Sequence, residues 1–265
     1  MKFPLLNLRL AIIGVFLGMI SASFAADPSW LSQVPAPTPG SFPLPNGRQL
    51  NYTGGWGKIP AGKVGITFSQ KGGKQTLHFT GTTIGVARGL FRLDATGVAQ
   101  CDPVTFAPST TVIDETYSDE KRHTVQTFTP QSVTRERTSQ PPQKDDGKVK
   151  VYNLPHVFDL QSSMLYLRSQ PLKNGDKVTF LTYATGSPYI AKVSVVGREE
   201  IEVRAGKFKA IKLHLNLVGI DKNLNLKPYK RAKNIHAWVS DDGDRNYLKI
   251  SAGMLIGTVF VELDK

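Results

Sequence analysis

Apolar positions in this chain recur mostly at every second residue. Val64, Ile66 and Phe68 alternate with Lys63, Gly65 and Thr67, and after Lys71-Gly72-Gly73 the alternation resumes with Leu77 and Phe79 against His78 and Thr80. Period two puts alternate side chains on one face of a strand, and a Gly-Gly turn between two such runs reads as a hairpin. The same pattern predicts strands near 86–93, 110–117, 124–128, 132–138 and 148–152. Six more follow, at 177–183, 189–196, 207–217, 234–239, 245–252 and 255–263. The polar stretch 139–148 has no periodicity and reads as a mobile hairpin loop. Within 207–217 the apolar phase slips by one between Ala210 and Ile211, which predicts a β-bulge there and a bent strand.

One segment breaks the period. From Asp159, Leu160, Met164 and Leu167 recur at i, i+4 and i+7, Asp159 suits an N-cap, and Pro171 ends the run. A helix over 159–170 is roughly 15 Å long, too short to be stable alone, so its apolar stripe is expected to be buried against the sheet. The fold class is therefore all-β and mainly antiparallel, a twisted or barrel-like sheet with one short amphipathic helix.

The ends of the chain change the picture. Residues 1–25 carry Lys2 and Arg9, an apolar run of 11 residues from Leu10 to Ile20, and Ser23-Phe24-Ala25. That is a secretory signal peptide with cleavage after Ala25, its core falling short of the roughly 20 residues of a spanning helix. No cysteine stands at the cleavage point to receive a lipid, so the expected location is the periplasm. Residues 26–47 are a Pro-rich leader, extended and semi-rigid over 35–45, and 48–265 a single β-barrel-like domain. Cys101 is the sole cysteine, so no intramolecular disulfide can form, and it reads as a buried residue rather than a nucleophile.

The chain has 33 basic and 21 acidic residues; without Lys2 and Arg9 the mature part keeps 31 against 21, a net +10. Such a surplus suits anionic surroundings such as lipid headgroups or acidic envelope polymers as well as plain solubility. Export argues against nucleic acid. The surplus is densest in Lys222 to Lys233, where Lys227, Lys230 and Arg231 interleave with Leu224, Leu226 and Tyr229; this suits an anionic membrane surface or, equally, a solvated hairpin with edge-protecting lysines.

Candidate chemistry is sparse. There is no nucleophile elbow, zincin motif or phosphate loop, the five histidines are scattered, and no cofactor or metal site is expected. Glu199 shares parity with Ile201 and Val203, so it is expected to point inward and to need Arg168 or Arg198 as a cation. Asp241, Asp242 and Asp244 surround Gly243 in what reads as a turn. Trp56 and Trp238 read as core residues, with sugar or lipid stacking as the alternative.

In series, several segments resemble a known family. Tyr52-x-x-x-Trp56-Gly57-x-Ile59-x-Ala61-Gly62, the helix with Asp159, Ser162, Leu165, Tyr166 and Arg168, Gly175-Asp176, Gly197-Arg198-Glu199, Gly206-x-Phe208 and Trp238-x-Ser240-x-Asp242 together look like the DUF3108 family of exported bacterial proteins. The resemblance spans about 48–263. It implies an antiparallel, barrel-like sheet with a helix inside or across its mouth, similar to periplasmic lipoprotein carriers, and implies no activity.

The functional expectation is a non-enzymatic binding or carrier protein for an apolar or anionic cell-envelope ligand. Its candidate binding residues are Trp56, Arg168, Glu199, Lys227, Tyr229, Lys230, Arg231, Trp238 and Asp242. The alternatives are a structural protein with a filled core, and a glycan hydrolase using Glu199 and Asp242 as its carboxylate pair.

Overall fold

The computed structural model describes residues 27–264 except 46 and 185; the signal peptide and its cleavage point lie outside the described residues. The first half is a meander of β1 (Gln49–Trp56), β2 (Ile59–Lys71), β3 (Lys74–Thr83), a short helix α1 (Gly85–Leu90), β4 (Leu93–Cys101), β5 (Pro108–Tyr117), β6 (Lys121–Thr129) and β7 (Ser132–Gln140). Then come β8 (Lys150–Tyr152), β9 (Val157–Asp159) and α2 (Leu160–Ser169). The second half is β10 (Lys177–Ala184), β11 (Ser187–Val203), β12 (Gly206–Ile220), β13 (Leu226–Pro228), β14 (Lys233–Ser240), β15 (Tyr247–Gly253) and β16 (Thr258–Leu263).

All these strands form one sheet. Its order runs from β8 down to β1, then β16, β15, β14, β12, β11, β10 and β9, with β13 paired to β12. Neighbours are antiparallel except β9 and β10, which are parallel. The sheet does not close by pairing its edges; it rolls until β6 to β8 lie over the outer face of β9 to β11. Alternation along β10 shows this directly. Phe180 faces the helix, whereas Leu181 and Tyr183 pack outward against Phe128, Val133 and Tyr152, so β10 is buried on both faces and reads as an apolar run.

The helix sits inside the roll. Asp159 accepts a hydrogen bond from the Ser162 N–H at 2.6 Å, the N-cap expected of it, and a second from Thr111 on β5. Burial pushes its carboxyl up, and the hydrogen bonds from Thr111 and Ser162 only oppose this. The native state therefore binds the Asp159 proton more tightly than the unfolded chain, and stability falls as pH rises from the ordinary carboxylate pKa towards the native value. Asp159→Asn removes the charge and keeps one of the two acceptor oxygens, enough for the Ser162 N–H. Denaturant midpoints should show the variant gaining on the parent as pH rises above about 4, the ordinary carboxylate range.

Three departures from the sequence pattern have physical causes. Residues 86–93 are not a strand: Gly85, at φ +56°, turns the chain out of β3 into α1, which Arg88 ties down through Asp94 and the Thr83 carbonyl. The slip at Ala210 and Ile211 is not a bulge in β12, since both residues are fully buried. The extra residue is Val196 on the neighbouring strand, where Val195 pairs with Leu213 and Gly197 with Lys212. Finally, the leader is docked, and it begins with a 3-10 helix, Ser29–Gln33, rather than being extended throughout. Trp30, Leu31 and Val34 join the β6–β12 cluster, and Gly40 passes so close to α2 that a Cβ would lie 1.9 Å from the Ser169 carbonyl oxygen.

The hairpin turns define two ends of the roll. The β1–β2 and β15–β16 turns, α1 and the β12–β14 connection form one rim, here called upper. The turns β2–β3, β6–β7 and β14–β15 lie at the lower end.

Candidate functional site

Helix α2 buries only the last member of the stripe that the sequence suggests, Leu167. Leu165, Tyr166, Leu167 and Arg168 are buried, whereas Leu160 is 52% exposed and Met164 is half-buried. The reason is that the interior is wider than the helix. Phe158, Tyr166 and Phe180 pack one side tightly, with Phe158 and Tyr166 stacked at 4.8 Å between ring centroids. On the stripe side two spaces remain.

The first, of about 210 Å³, lies between the stripe and the inward side chains of β1 to β3, chiefly Leu50, Tyr52, Val64, Ile66, Phe68 and Phe79. The second, also about 210 Å³, lies between the stripe and Phe180, Ala191, Leu215, Leu217, Ala237 and Ile250. Leu160, Met164 and Tyr247 line both. Each is larger than the roughly 150 Å³ at which an apolar cavity takes a benzene-sized guest. Since Leu160 belongs to both and remains half exposed, they open beside the first turn of the helix.

Polar groups are few and mostly satisfied. Ser163 donates to the Asp159 carbonyl at 2.6 Å and pairs with the Thr182 hydroxyl at 2.7 Å, so these hydroxyls add no unmet polarity. At the lower end the first space is floored by Arg168, Arg245 and Asn246. Arg168 donates to the backbone carbonyls of Pro43, Asp244 and Arg245, and burial lowers its pKa to about 10. Arg245 donates back to the carbonyls of Arg168, Gln170 and Pro171, and both guanidiniums lie over the Phe42 ring. Cys101 is buried, its thiol pushed up to about 12 by that burial.

The structure distributes the remaining predicted residues over three places. Tyr229 lines the second cavity and meets Tyr189 edge-on at 5.6 Å. Lys227, Lys230 and Arg231 are exposed on the upper rim around it, with Lys227 3.2 Å from Asp221. Glu199 does not point inward. Because Val196 adds a residue to β11, the facing reverses, and Glu199 lies on the outer surface, 2.7 Å from Trp238 Nε1 and 3.2 Å from Lys212. The Trp238 hydrogen bond, with Lys212 beside it, holds its carboxyl below the usual range. Arg168, the expected partner, is instead bound to carbonyls, and Arg198 pairs with Asp241.

Asp242 accepts from Ser240 Oγ and from the N–H groups of Asp244 and Arg245, closing its own turn. Neither Asp242 nor Glu199 lines either cavity, so the two carboxylates do not face one another across a cleft as a glycosidase pair would. Trp238 is half-buried, but Trp56 is 52% exposed on the upper rim; the core reading fails for it because its strand ends there. Sequence reasoning also missed His214 and His236, which the register places opposite one another, ring centroids 5.2 Å apart. Their separation of 22 positions carries no signal without the pairing of β12 with β14.

Comparison with known proteins agrees with this architecture. The family described as "Protein of unknown function (DUF3108)" matches residues 51–264. No curated protein matches the chain. A β-barrel-like protein of the DUF1849 family from Brucella abortus is similar in structure, with a TM-score of 0.51 and 8% identity over 86% of this chain and 98% of that one. A Bacteroides fragilis protein with a YmcC-like fold covers the same share of this chain and 99% of its own at TM-score 0.34 and 9% identity. The likeness to the Brucella abortus protein speaks to the fold alone.

Proposed function

The chain belongs to the DUF3108 family, whose function is unassigned, and we propose that it is an exported binding or carrier protein for an apolar cell-envelope ligand. The observation that carries this reading is the unburied part of the α2 stripe. A helix enclosed by a sheet would ordinarily pack its apolar face, yet Leu160 and Met164 face two apolar cavities instead. An acyl chain laid along the stripe would remove that surface from water at roughly 25 cal/mol per Å². Its polar end would remain at the mouth, near Tyr229, Lys227, Lys230 and Arg231. The N-terminal 25 residues, with their signal-peptide pattern, support delivery to the envelope. No described helix is long and apolar enough to cross a membrane.

Native mass spectrometry of protein purified without detergent, followed by organic extraction, tests the proposal. A retained, lipid-extractable mass of several hundred daltons is expected; a bare polypeptide, unchanged after incubation with envelope lipids, would sink it. Met164→Trp offers a sharper check, since Met164 lies between the cavities. Filling that space is expected to weaken binding of a fluorescent fatty-acid probe by roughly tenfold or more, with the thermal midpoint nearly unchanged.

A further inference from the structure

The upper rim carries large apolar side chains that the fold leaves more than half exposed. Leu255 is wholly exposed and Ile256 69% exposed in the β15–β16 turn; Ile59 is 65% and Trp56 52% exposed at the β1–β2 turn; Leu90 and Phe91, at 85% and 55%, project from the end of α1. These turns are neighbours, because β1 pairs with both β2 and β16, and β3 with β2. The lower-end turns differ in kind. They are built from residues such as Gly72-Gly73, Gln131 and Asp241-Asp242, and Val104 is the large exposed apolar side chain there among the described residues.

We infer that the upper rim docks on an anionic lipid bilayer, with the tips at Trp56–Ile59, Leu255–Ile256 and α1 entering the headgroup region. Shape and charge select this occupant. The apolar side chains stand on separate projecting tips rather than in a groove, so they suit a fluid layer better than a complementary protein face; an indole ring among them is at home in the headgroup region. Cations flank the tips. Lys58 lies between Trp56 and Ile59, and Lys233 pairs with Gly253 at the base of the β15–β16 turn. Lys222, Lys227, Lys230 and Arg231 continue the same rim, all exposed, and Asp221 is the single acidic residue in 221–233. Each such cation gains from an anionic surface, and the gain fades with salt. This inference stands apart from the ligand reading, since docking needs no occupant in the cavities.

Co-sedimentation of the full mature chain with vesicles of phosphatidylcholine, alone or mixed with phosphatidylglycerol, tests it. Wild type should bind the mixed vesicles, more weakly at high salt, and bind phosphatidylcholine alone less well. The double change Leu255→Glu and Ile256→Glu is expected to reduce binding roughly tenfold or more without moving the thermal midpoint, because both side chains are outside the core. Lys230→Glu with Arg231→Glu should remove the preference for the anionic lipid. Val104→Glu, at the far end, should bind as wild type does. Absence of wild-type binding, full binding by the Leu255/Ile256 variant, or equal loss in Val104→Glu would overturn the inference. So would a lipid-free dimer that the Leu255/Ile256 change dissociates, which would make a second copy of the chain the occupant.

Discussion

Phe158→Ala is expected to cost about 3–5 kcal/mol of stability, the range for deleting a buried aromatic ring. Phe158 is 2% exposed and sits on a three-residue strand that pairs with β10 alone. Its ring stacks on Tyr166 of α2 and meets Phe180 of β10 edge-on at 6.0 Å. The side chain thus holds together an edge strand, the interior helix and the sheet behind it, none of which can close over the gap without moving the others. Urea unfolding should show a large fall in midpoint. Phe158→Leu, which keeps most of the volume, should lose less than half as much; equal losses would show that the site relaxes around either residue and that the ring contacts are not the source.

Arg168→Ala should be nearly as damaging, about 3 kcal/mol. Three partly buried carbonyls, those of Pro43, Asp244 and Arg245, lose their donor at once, and a hydrogen bond to a charged group is worth about 1.5–3 kcal/mol. Arg168→Lys should recover little, because an ammonium cannot reproduce the planar fork that serves several acceptors. A purely global loss would leave exchange protection uniformly lower. The reciprocal lock with Arg245 predicts instead that hydrogen exchange rises first in 38–45 and in the β14–β15 turn, and uniform change across the sheet would refute it.

Much of this architecture is visible in residue order, and the misses are instructive. Alternation around Val64 and Leu77 found the β2–β3 hairpin because one face of each strand is buried and the other is not. Asp159 and Pro171 bounded α2 because caps act locally. β4, by contrast, reads Leu-Asp-Ala-Thr-Gly-Val-Ala-Gln-Cys, whose small residues give weak alternation; its Gly97 lies beneath the Phe79 ring, where a Cβ would be 2.1 Å from that ring. Glu199 was misplaced because Ile201 and Val203, which do share its parity, read as marking the inner face; beyond the extra residue Val196 that parity faces outward, where Val203 and Ala210 belong to a separate cluster. For the candidate site, Arg168 and Tyr229 were legible as residues. The cavities were not, since the pattern of a helix stripe is the same whether it meets side chains or empty space.

The pairing of β1 with β16 also governs how the molecule is made. Those strands join residues about two hundred positions apart at the middle of the sheet, Tyr52 opposite Leu263, so each meander can form its local hairpins early while the centre waits for the last strand to arrive. Long-range pairing of this kind is slow and leaves strand edges open meanwhile. A chain cut within 258–263 would present two half-sheets with raw edges at β1 and β15, each able to recruit the other from a second molecule.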